Sequence, residues 1–475
     1  MFQKKQNRTR KKQKQKRNGD MIHGKIISRK DGWVTAHIWG DPYTRGYAHG
    51  CILCKELELL VQSFESIVQT SFNHISLSEY IDICVKEIKP GIVQDFPEFY
   101  EELRGISEGA FHMGVIITID ALIAWNSVLS MHSYFKNNNK SNEKHTNNDT
   151  NKNNEKHTDT DTDTNKDTRC SAFIATGNAT HDGKIVMAHN SHCHFIEAKL
   201  QNIILYITPS QGSSFVMQCS PGFIASGTDW FLSKTGIIGC ETTISDINYN
   251  LSFGIPYFCR IRQAIQYGKT LDDYVDIMLK KNAGDYACSW LLGNIHTNEI
   301  MLFELGLKKH AIRRTKDGVY YGMNSAIDFE LRTTETNDKT MFDLTTSSGA
   351  RNARLNQLLN NEYYGKINLQ NARLILSDHY DSSLGKTVMN ARSICKHVEL
   401  TERKNKKKSY YPFGCTDGKV VDSTLAKKLA FIGRFGSSCG RVFRVQTFVR
   451  KHTQYKKWQN DLADFPKTDW TLLQK

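Results

Sequence analysis

The sequence predicts an α+β protein in which β-sheet layers are covered by helices. Three observations support this fold class. The first part of the chain is rich in helical patterns, a polar low-complexity stretch follows it, and the last part contains strand-like runs with helical patterns in separate blocks. Runs of strands and blocks of helices of this kind are typical of sheets that bury one face under helices.

The first folded part is expected over residues 21–135 and should be mostly helical. Residues 51–72 carry apolar side chains at helical spacing. The most apolar window, residues 114–131, is interrupted by Asp120 and Asn126, so it favours a buried helix over a transmembrane segment.

Two stretches are expected to be disordered. Residues 1–20 hold much of the net charge of +14 and should form a basic arm. Such an arm could bind an anionic partner, although a solubilising tail explains it equally well. Residues 136–169 contain NEKHT twice and then DTDTDT, with almost no apolar side chain to stabilise an ordered linker.

The second folded part is expected over residues 170–475 and begins with a β-hairpin. CSAFIATG reads as a strand, HDGK as a tight turn and IVMAHN as the return strand. More strand-like runs and two helical patterns follow. The strand-like runs are 202–207, 214–219, 236–244 and 300–307, and the helical patterns are 270–282 and 353–365.

Compartment and redox state are inferred from what the sequence contains. No apolar run follows the basic start, so no secretory signal is visible and a cytoplasmic location is expected. The twelve cysteines show no paired spacing, which indicates free thiols.

Cys170 is the residue at which the sequence indicates chemistry, because a polar linker ends directly against a strand that starts with a cysteine. Cleavage between Arg169 and Cys170 would create an α-amino group. Its pKa of about 7.7–8.0 is close to the thiol's value of about 8.5, so the amine could serve as the base that deprotonates the thiol. The alternative is that Cys170 is a small apolar residue at the start of a strand.

The run RCSAFIATGNATHDGKIVMAHN, residues 169–190, closely resembles the β-chain start of the peptidase C45 family. These are the acyl-coenzyme A:6-aminopenicillanate acyltransferase-like proteins, relatives of the choloylglycine hydrolases. Segments 40–50 and 101–110 are similar to the family's prosegment, and segments 221–244 and 412–426 to its later blocks.

The resemblance implies a four-layer αββα sandwich of the N-terminal-nucleophile hydrolases. It also implies self-processing into two chains that stay associated, with a cysteine nucleophile that acts on a linear amide or an acyl donor of small-molecule type. We expect neither a cofactor nor a metal. The sequence does not distinguish water from an amine as the acyl acceptor.

The resemblance places several site residues in the hairpin. The Arg-Asn-x-Asp element that follows the return strand in choloylglycine hydrolases falls at the segment HNSH, where Asn190 matches the asparagine. His189 and His192 stand where an arginine and an aspartate would be, which leaves the support of the nucleophile and the choice of substrate open.

Further site residues are implied downstream. Thr242 or Thr243 lies where an asparagine of the oxyanion hole is common, and Asn324 is the first candidate for an amide that donates to the oxyanion. Arg351, with Arg354 as its neighbour, stands where an active-site arginine is expected to hold the thiolate or a nearby carboxylate.

Four other motifs in the sequence suggest different chemistry. GISEG and GSSCG match the serine nucleophile-elbow pattern, but neither has the full strand, helix and triad context. HNSHCHF and CILC contain metal-ligand residue types, but neither has a second ligand pair at finger-like spacing. Two alternative functions stay open, a phospholipase B-like deacylase of lipids or esters and a catalytically inactive binding protein of the same fold.

Overall fold

The computed structural model describes residues 22–72, 75–132, 134–135, 170–248, 254–403 and 405–475. The expected basic arm, the expected linker and Arg169 lie outside the described residues, so what the sequence predicts for them stays a prediction.

The strand-forming runs build two large β-sheets and one short hairpin. The strands are β1 Gly24–Lys30, β2 Trp33–Gly40, β3 Cys170–Thr176, β4 Val186–His194, β5 Ile203–Pro209, β6 Phe215–Cys219, β7 Trp230–Ser233, β8 Ile237–Thr243, β9 Cys288–Asn294, β10 Glu299–Leu305, β11 His310–Thr315, β12 Gly318–Gly322, β13 Tyr380–Asp381, β14 Lys386–Thr387, β15 Phe413–Asp422, β16 Phe431–Phe435 and β17 Thr471–Leu473.

The helices fall into a block before β3 and further blocks between the later strands. They are α1 Pro42–Ile52, α2 Cys54–Phe72, α3 Leu77–Glu87, α4 Lys89–Asp95, α5 Pro97–His112, α6 Ile119–Asn126, α7 Phe195–Ala198, α8 Tyr257–Tyr267, α9 Leu271–Leu279, α10 Phe329–Glu335, α11 Ser347–Gln357, α12 Leu369–Leu376, α13 Ser423–Ala426 and α14 Val445–Lys451.

One sheet has nine strands in the order β1-β2-β5-β6-β7-β8-β9-β10-β11, and the other has six in the order β12-β3-β4-β15-β16-β17. Neighbouring strands are antiparallel except β2 and β5, which run parallel. β1 and β2 come from the first folded part and β5 from the second. The two parts therefore contribute to one continuous sheet.

The two sheets pack face to face, and helices cover their outer faces. Along β3, Ala172 and Ile174 belong to the core between the sheets, whereas Phe173 and Ala175 belong to a second core. The second core includes Leu355 of α11. This alternation is what a strand buried on both faces requires. α8 and α9 cover the nine-stranded sheet, so the four-layer αββα sandwich is confirmed.

The prosegment-like glycines allow α1 and α5 to cross at very close range. A Cβ atom on Gly46 would lie 2.0 Å from the carbonyl oxygen of Glu102, and one on Gly109 would lie 2.2 Å from that of Tyr47. Gly50 and Gly105 face the opposite helix in the same way. The interface thus depends on small residues at a spacing of four.

Several elements differ in extent from the predicted ones. The pattern over residues 51–72 is divided between two helices, with Leu53 between them, and the return strand continues past Asn190 to His194. No disulfide forms among the cysteines, all of which fall in the described part of the chain. No helix among the described residues is long and apolar enough to span a bilayer.

Candidate active site at Cys170

Cys170 is the first residue of β3 and is almost completely buried. It alternates with Ser171, so its side chain faces the space between the sheets, as Ala172 does. Its main chain lies opposite Ser191 of β4, and β12 pairs with β3 from Ala172 onward.

Arg351 and Asn324 hold the main chain of Cys170. Nη1 of Arg351 donates to the carbonyl oxygen of Cys170 at 2.6 Å, and Nη2 donates to Oδ1 of Asn324 at 2.8 Å. The backbone N–H of Cys170 donates to the same Oδ1 at 3.4 Å. Three residues that are far apart in sequence therefore form one hydrogen-bonded unit.

The orientation of Asn324 differs from the predicted one. Its Nδ2 donates to the carbonyl oxygen of Thr243 at 3.0 Å, so the amide oxygen Oδ1, and not the amide nitrogen, faces Cys170. Arg351 requires an acceptor and the Thr243 carbonyl requires a donor, so both partners fix this orientation of the amide. Asn324 thus positions the nitrogen of Cys170, and the expected donation to an oxyanion is not what its contacts show.

Arg351 also contacts neutral groups around Cys170. Its side chain is fully buried, and it donates to the hydroxyl of Ser171 and to the carbonyl oxygen of Met323. These bonds hold the main chain next to Cys170 in place.

Asn190 does not join this unit. It pairs with Ser171 in the sheet, so its side chain lies on the opposite face from that of Cys170. Its Nδ2 donates to the carbonyl oxygens of Leu376 and Ile394 at 2.8 and 3.3 Å. This geometry makes Asn190 a link between β4 and the helical layer, in place of the catalytic contact that the sequence predicted.

The two histidines of HNSH lie on opposite faces of β4. His189 faces the nine-stranded sheet, where its Nε2 meets the carbonyl oxygen of Glu241 at 2.9 Å, and His192 faces the helices, where its Nε2 meets the carbonyl oxygen of Ile394 at 3.1 Å. Burial, with Lys419 as the next cause, holds the pKa of His189 well below its usual value. Burial and then Arg351 do the same for the pKa of His192.

Both imidazoles are consequently neutral, so neither replaces the charge of an arginine or an aspartate. A cation stands instead on the neighbouring strand, because Lys419 of β15 pairs with His189. Its Nζ lies 2.8 Å from the hydroxyl of Ser191 and 2.8 Å from Oδ1 of Asp417, and all three groups are buried.

The threonine candidates occupy different places. Thr243 supplies the carbonyl oxygen that fixes Asn324, and its hydroxyl lies 2.5 Å from that of Tyr286. Thr242 is buried against Gly322, the β12 residue that pairs with Ala172 of β3. The hydroxyl of Thr242 has no hydrogen-bond partner among the described residues. It is therefore the better placed of the two for a polar contact between the sheets.

Buried charges near the thiol were missed by the sequence analysis. Burial, followed by the charges of Asp229 and Glu241, raises the pKa of Cys170 well above its usual value, while the backbone of His192 and Lys419 act in the opposite direction. The sequence does contain a signal for these buried charges. It is the presence of charged residues inside segments that otherwise read as buried strands, such as CTDGKVV. The sequence alone does not show which of these charges face one another.

Comparisons with known proteins give partial matches. The model of the family described as Phospholipase B matches residues 95–303, a range that contains Cys170, His189 and Glu241 but not Asn324 or Arg351. An uncharacterized protein of Archaeoglobus fulgidus is 26% identical over 269 residues. That match covers 55% of this chain and 41% of the relative, so the chain spans less than half of the length of this relative.

Two solved structures of conjugated bile acid hydrolase from Clostridium perfringens, both of variants, are similar at 9% identity with TM-scores of 0.34 and 0.31. Each alignment covers 56% of this chain and 89% of the other. The αββα architecture described above accordingly rests on the sheets and contacts of this chain itself. Over its central residues, the chain is similar to the Phospholipase B family.

Proposed function

We propose that this chain is a self-processing cysteine N-terminal-nucleophile hydrolase or acyltransferase whose nucleophile is Cys170. The observation that carries the proposal is the set of hydrogen bonds by which Asn324 and Arg351 hold the main-chain nitrogen and oxygen of Cys170. A cysteine that only filled the core could satisfy these two backbone groups with ordinary sheet partners, and it would require no buried arginine at its carbonyl group.

Self-cleavage requires the bond before Cys170 to be broken by its own side chain. The sulfur attacks the carbonyl carbon of Arg169, the C–N bond breaks as a thioester forms, and the nitrogen of Cys170 takes up the thiol proton. Water then hydrolyses the thioester, which leaves a carboxylate on Arg169 and a free amine and thiol on Cys170. Asn324 and Arg351 support this step because their hydrogen bonds hold the nitrogen and the carbonyl group of Cys170 itself in place.

The new amine supplies the base that the buried thiol lacks. In the uncut chain the raised pKa of Cys170 keeps the sulfur protonated at neutral pH. After cleavage, the amine would lie beside the guanidinium of Arg351, which disfavours a second positive charge and so keeps the amine neutral. A neutral amine can accept the thiol proton as the sulfur attacks a substrate carbonyl and forms an acyl-enzyme.

The substrate is proposed to be a small-molecule amide or acyl donor, with a lipid ester as the second candidate. The match to the Phospholipase B family supports the second candidate. So does an exposed apolar pair, Phe329 and Phe342, each 70% or more exposed, with the guanidinium of Arg332 over both rings.

The test is intact-mass analysis with N-terminal sequencing of the purified full chain, alongside Cys170→Ala and the control Cys84→Ala. Cys84 is also a buried cysteine, but it lies in α3. We expect a fragment that starts at Cys170 in the wild type and in Cys84→Ala, and a single uncut chain in Cys170→Ala. Cleavage before position 170 in Cys170→Ala would show that an outside protease makes the cut.

Activity is then measured with N-acyl amides and with phospholipid vesicles. Turnover of either class by the processed wild type, absent in Cys170→Ala, supports the proposal and separates the two substrate classes. A folded chain that stays uncut and hydrolyses neither class would favour a catalytically inactive binding protein.

A further inference from the structure

Four side chains outside the Cys170 site converge on one point behind β4. They are His379, Cys395, His397 and Cys439, and one ligand atom from each lies within 4.8 Å of all the others. They come from three separate chain segments: the turn after α12, the loop before the turn at Val398–Leu400, and the loop after β16. This origin explains why no finger-like spacing is visible in the sequence.

Distances around Nε2 of His397 fit a tetrahedral metal site. This nitrogen lies 3.4 Å from Sγ of Cys395, 3.5 Å from Sγ of Cys439 and 3.3 Å from Nε2 of His379. Zinc bonds of about 2.3 Å to sulfur and about 2.0–2.1 Å to nitrogen give tetrahedral edges of about 3.5 Å between S and N and about 3.3 Å between two N atoms.

Hydrogen bonds alone do not account for this arrangement. Nδ1 of His397 lies 2.8 Å from Oε1 of Glu399, so Nδ1 carries a hydrogen and donates it to the carboxylate. Nε2 then has one in-plane position, either a lone pair or one N–H, for three neighbours at nearly equal distance. One such position makes one well-directed hydrogen bond, whereas a cation at the centre of the four atoms would take one lone pair from each.

Glu399 also supplies the outer partner that metal-bound histidines usually have. A carboxylate that accepts from the far nitrogen of an imidazole fixes its tautomer and orientation and makes the ligand more basic. Both His397 and Glu399 are buried, at 2% and 6% exposure. His379 and Cys439 are partly exposed, which leaves a path by which an ion could enter.

Hydrogen bonds outside the four ligand atoms hold the three segments together. The N–H of Cys395 donates to the carbonyl oxygen of Asp378 at 3.0 Å, which joins the second segment to the first. The hydroxyl of Ser377 donates to the carbonyl oxygen of Ser438 at 2.9 Å, which joins the first to the third. Because these bonds do not involve the ligand atoms, the site is preorganised by the fold.

We propose that His379, Cys395, His397 and Cys439 form a structural zinc site. Two thiolates and two imidazoles in tetrahedral order favour Zn²⁺ over cations that prefer oxygen ligands, and four protein ligands leave no open position for catalysis. Ile394 precedes the ligand Cys395, and its carbonyl oxygen accepts from both Asn190 and His192. The ion therefore fixes the loop whose Ile394 carbonyl group contacts Asn190 and His192 of β4.

The test is metal analysis by plasma mass spectrometry on the full chain, expressed with zinc and purified without chelator. Wild type is expected to hold about one zinc per chain. Cys439→Ser and His379→Gln should lose it, and His379→Cys should keep it because it still offers a ligand. The control is Cys54→Ser, since Cys54 is the other partly exposed cysteine. Circular dichroism shows whether each variant folds.

Replacement of zinc by Co²⁺ gives a second readout that does not depend on activity. Wild type should show a sulfur-to-cobalt charge-transfer band, which Cys439→Ser should weaken. Glu399→Gln should retain the site with an affinity about 10–100-fold lower, measured by competition with a chromophoric chelator.

Three results would overturn the proposal: wild type without zinc and without a cobalt–thiolate band, a Cys395–Cys439 disulfide in the non-reduced mass spectrum, or rapid alkylation of Cys439 in zinc-saturated protein. The last would indicate a cysteine nucleophile paired with His397. None of these outcomes depends on processing at Cys170.

Discussion

Asn324 combines an unusual backbone conformation with two side-chain roles. Its φ of 81° lies in the left-handed region, which asparagine tolerates better than most residues with a side chain. We expect Asn324→Gly to slow cleavage before Cys170 by about 10–100-fold. The reason is that glycine adopts this φ without strain but loses the bonds to Cys170 and Arg351, and a hydrogen bond to a charged group contributes about 1.5–3 kcal/mol. Cleavage is followed over time on denaturing gels.

Asn298→Gly is the matched control for this variant. Asn298 also has a positive φ, 59°, and its Nδ2 donates to the carbonyl oxygen of Gly183, in a turn that is not part of the Cys170 unit. The Asn298→Gly chain should be cleaved before Cys170 at the wild-type rate. Equal slowing of both variants would mean that the loss reflects general destabilisation and not the position of Asn324.

At the scale of single residues, the sequence predicts identities better than orientations. Cys170, Asn324 and Arg351 were predicted to share one site, and the fold brings these three residues together. The direction of the Asn324 amide was not predictable, because it is set by Thr243 and Arg351, which lie far away in sequence. The neutral state of His189 likewise depends on burial and on Lys419, which only the fold brings next to it.

The crossing of α1 and α5 depends on glycine. A methyl group on Gly46 would lie 2.0 Å from a main-chain oxygen, and backbone cannot rotate away as a flexible side chain can. We therefore expect Gly46→Ala to force the helices apart and to destabilise the protein by at least about 1–3 kcal/mol. Urea denaturation measures this change in the free energy of unfolding.

Gly91→Ala in α4 is the control, because a Cβ atom there would meet nothing within 4 Å. Alanine in a helix interior is favoured over glycine, so this variant should be as stable as wild type or more stable by about 0.5–1 kcal/mol. A Gly46→Ala variant of wild-type stability would contradict the close crossing.

His49 makes the attachment of α1 sensitive to pH. Its Nε2 accepts the N–H of Gly222 at 3.0 Å, and burial, the main cause, lowers its pKa from 6.5 to about 4. The unfolded state therefore takes up the proton first as pH falls. The stabilising contribution is fully present above pH 6.5 and is lost progressively between pH 6.5 and about 4, to the extent of about 2 kcal/mol at pH 5.

Other buried histidines titrate in the same direction, so the test compares wild type with His49→Gln. Urea denaturation is measured at pH 7.5 and at pH 5. The variant should lose about 2 kcal/mol less than wild type between these two pH values. Parallel losses in both proteins would show that His49 is not the group responsible.

At the scale of elements, local patterns predict strands well and their ends less well. The runs at residues 202–207 and 214–219 became β5 and β6 almost unchanged. β4 extends further than predicted because the polar segment HNSH finds partners on both sides, in the carbonyl oxygens of Glu241 and Ile394. No local rule reveals such partners, since they arrive from residues 50 to 200 positions away.

At the scale of the whole molecule, the parts of the chain before and after the proposed cleavage site pack together. β2 pairs with β5 along its full length, from Val34 opposite Ile203 to Gly40 opposite Pro209. Beneath this seam, the buried carboxylate of Glu102 lies between Arg45 of the first part and Arg262 of the second, at 2.6 and 2.9 Å. Loss of one member of such a buried group is strongly destabilising, because it leaves a charge without its partner.

This construction predicts that cleavage before Cys170 leaves one particle. The two products should coelute at the size of the uncut Cys170→Ala chain on gel filtration and separate only in denaturant. Glu102→Gln weakens the seam by removing the charge between two arginines, so it should release part of the first product in moderate urea, where the wild type stays intact. Its matched control is Glu101→Gln, an exposed carboxylate that pairs with Arg104 of the same helix. Separation of the wild-type products in native buffer would mean that the shared sheet forms only in the uncut chain.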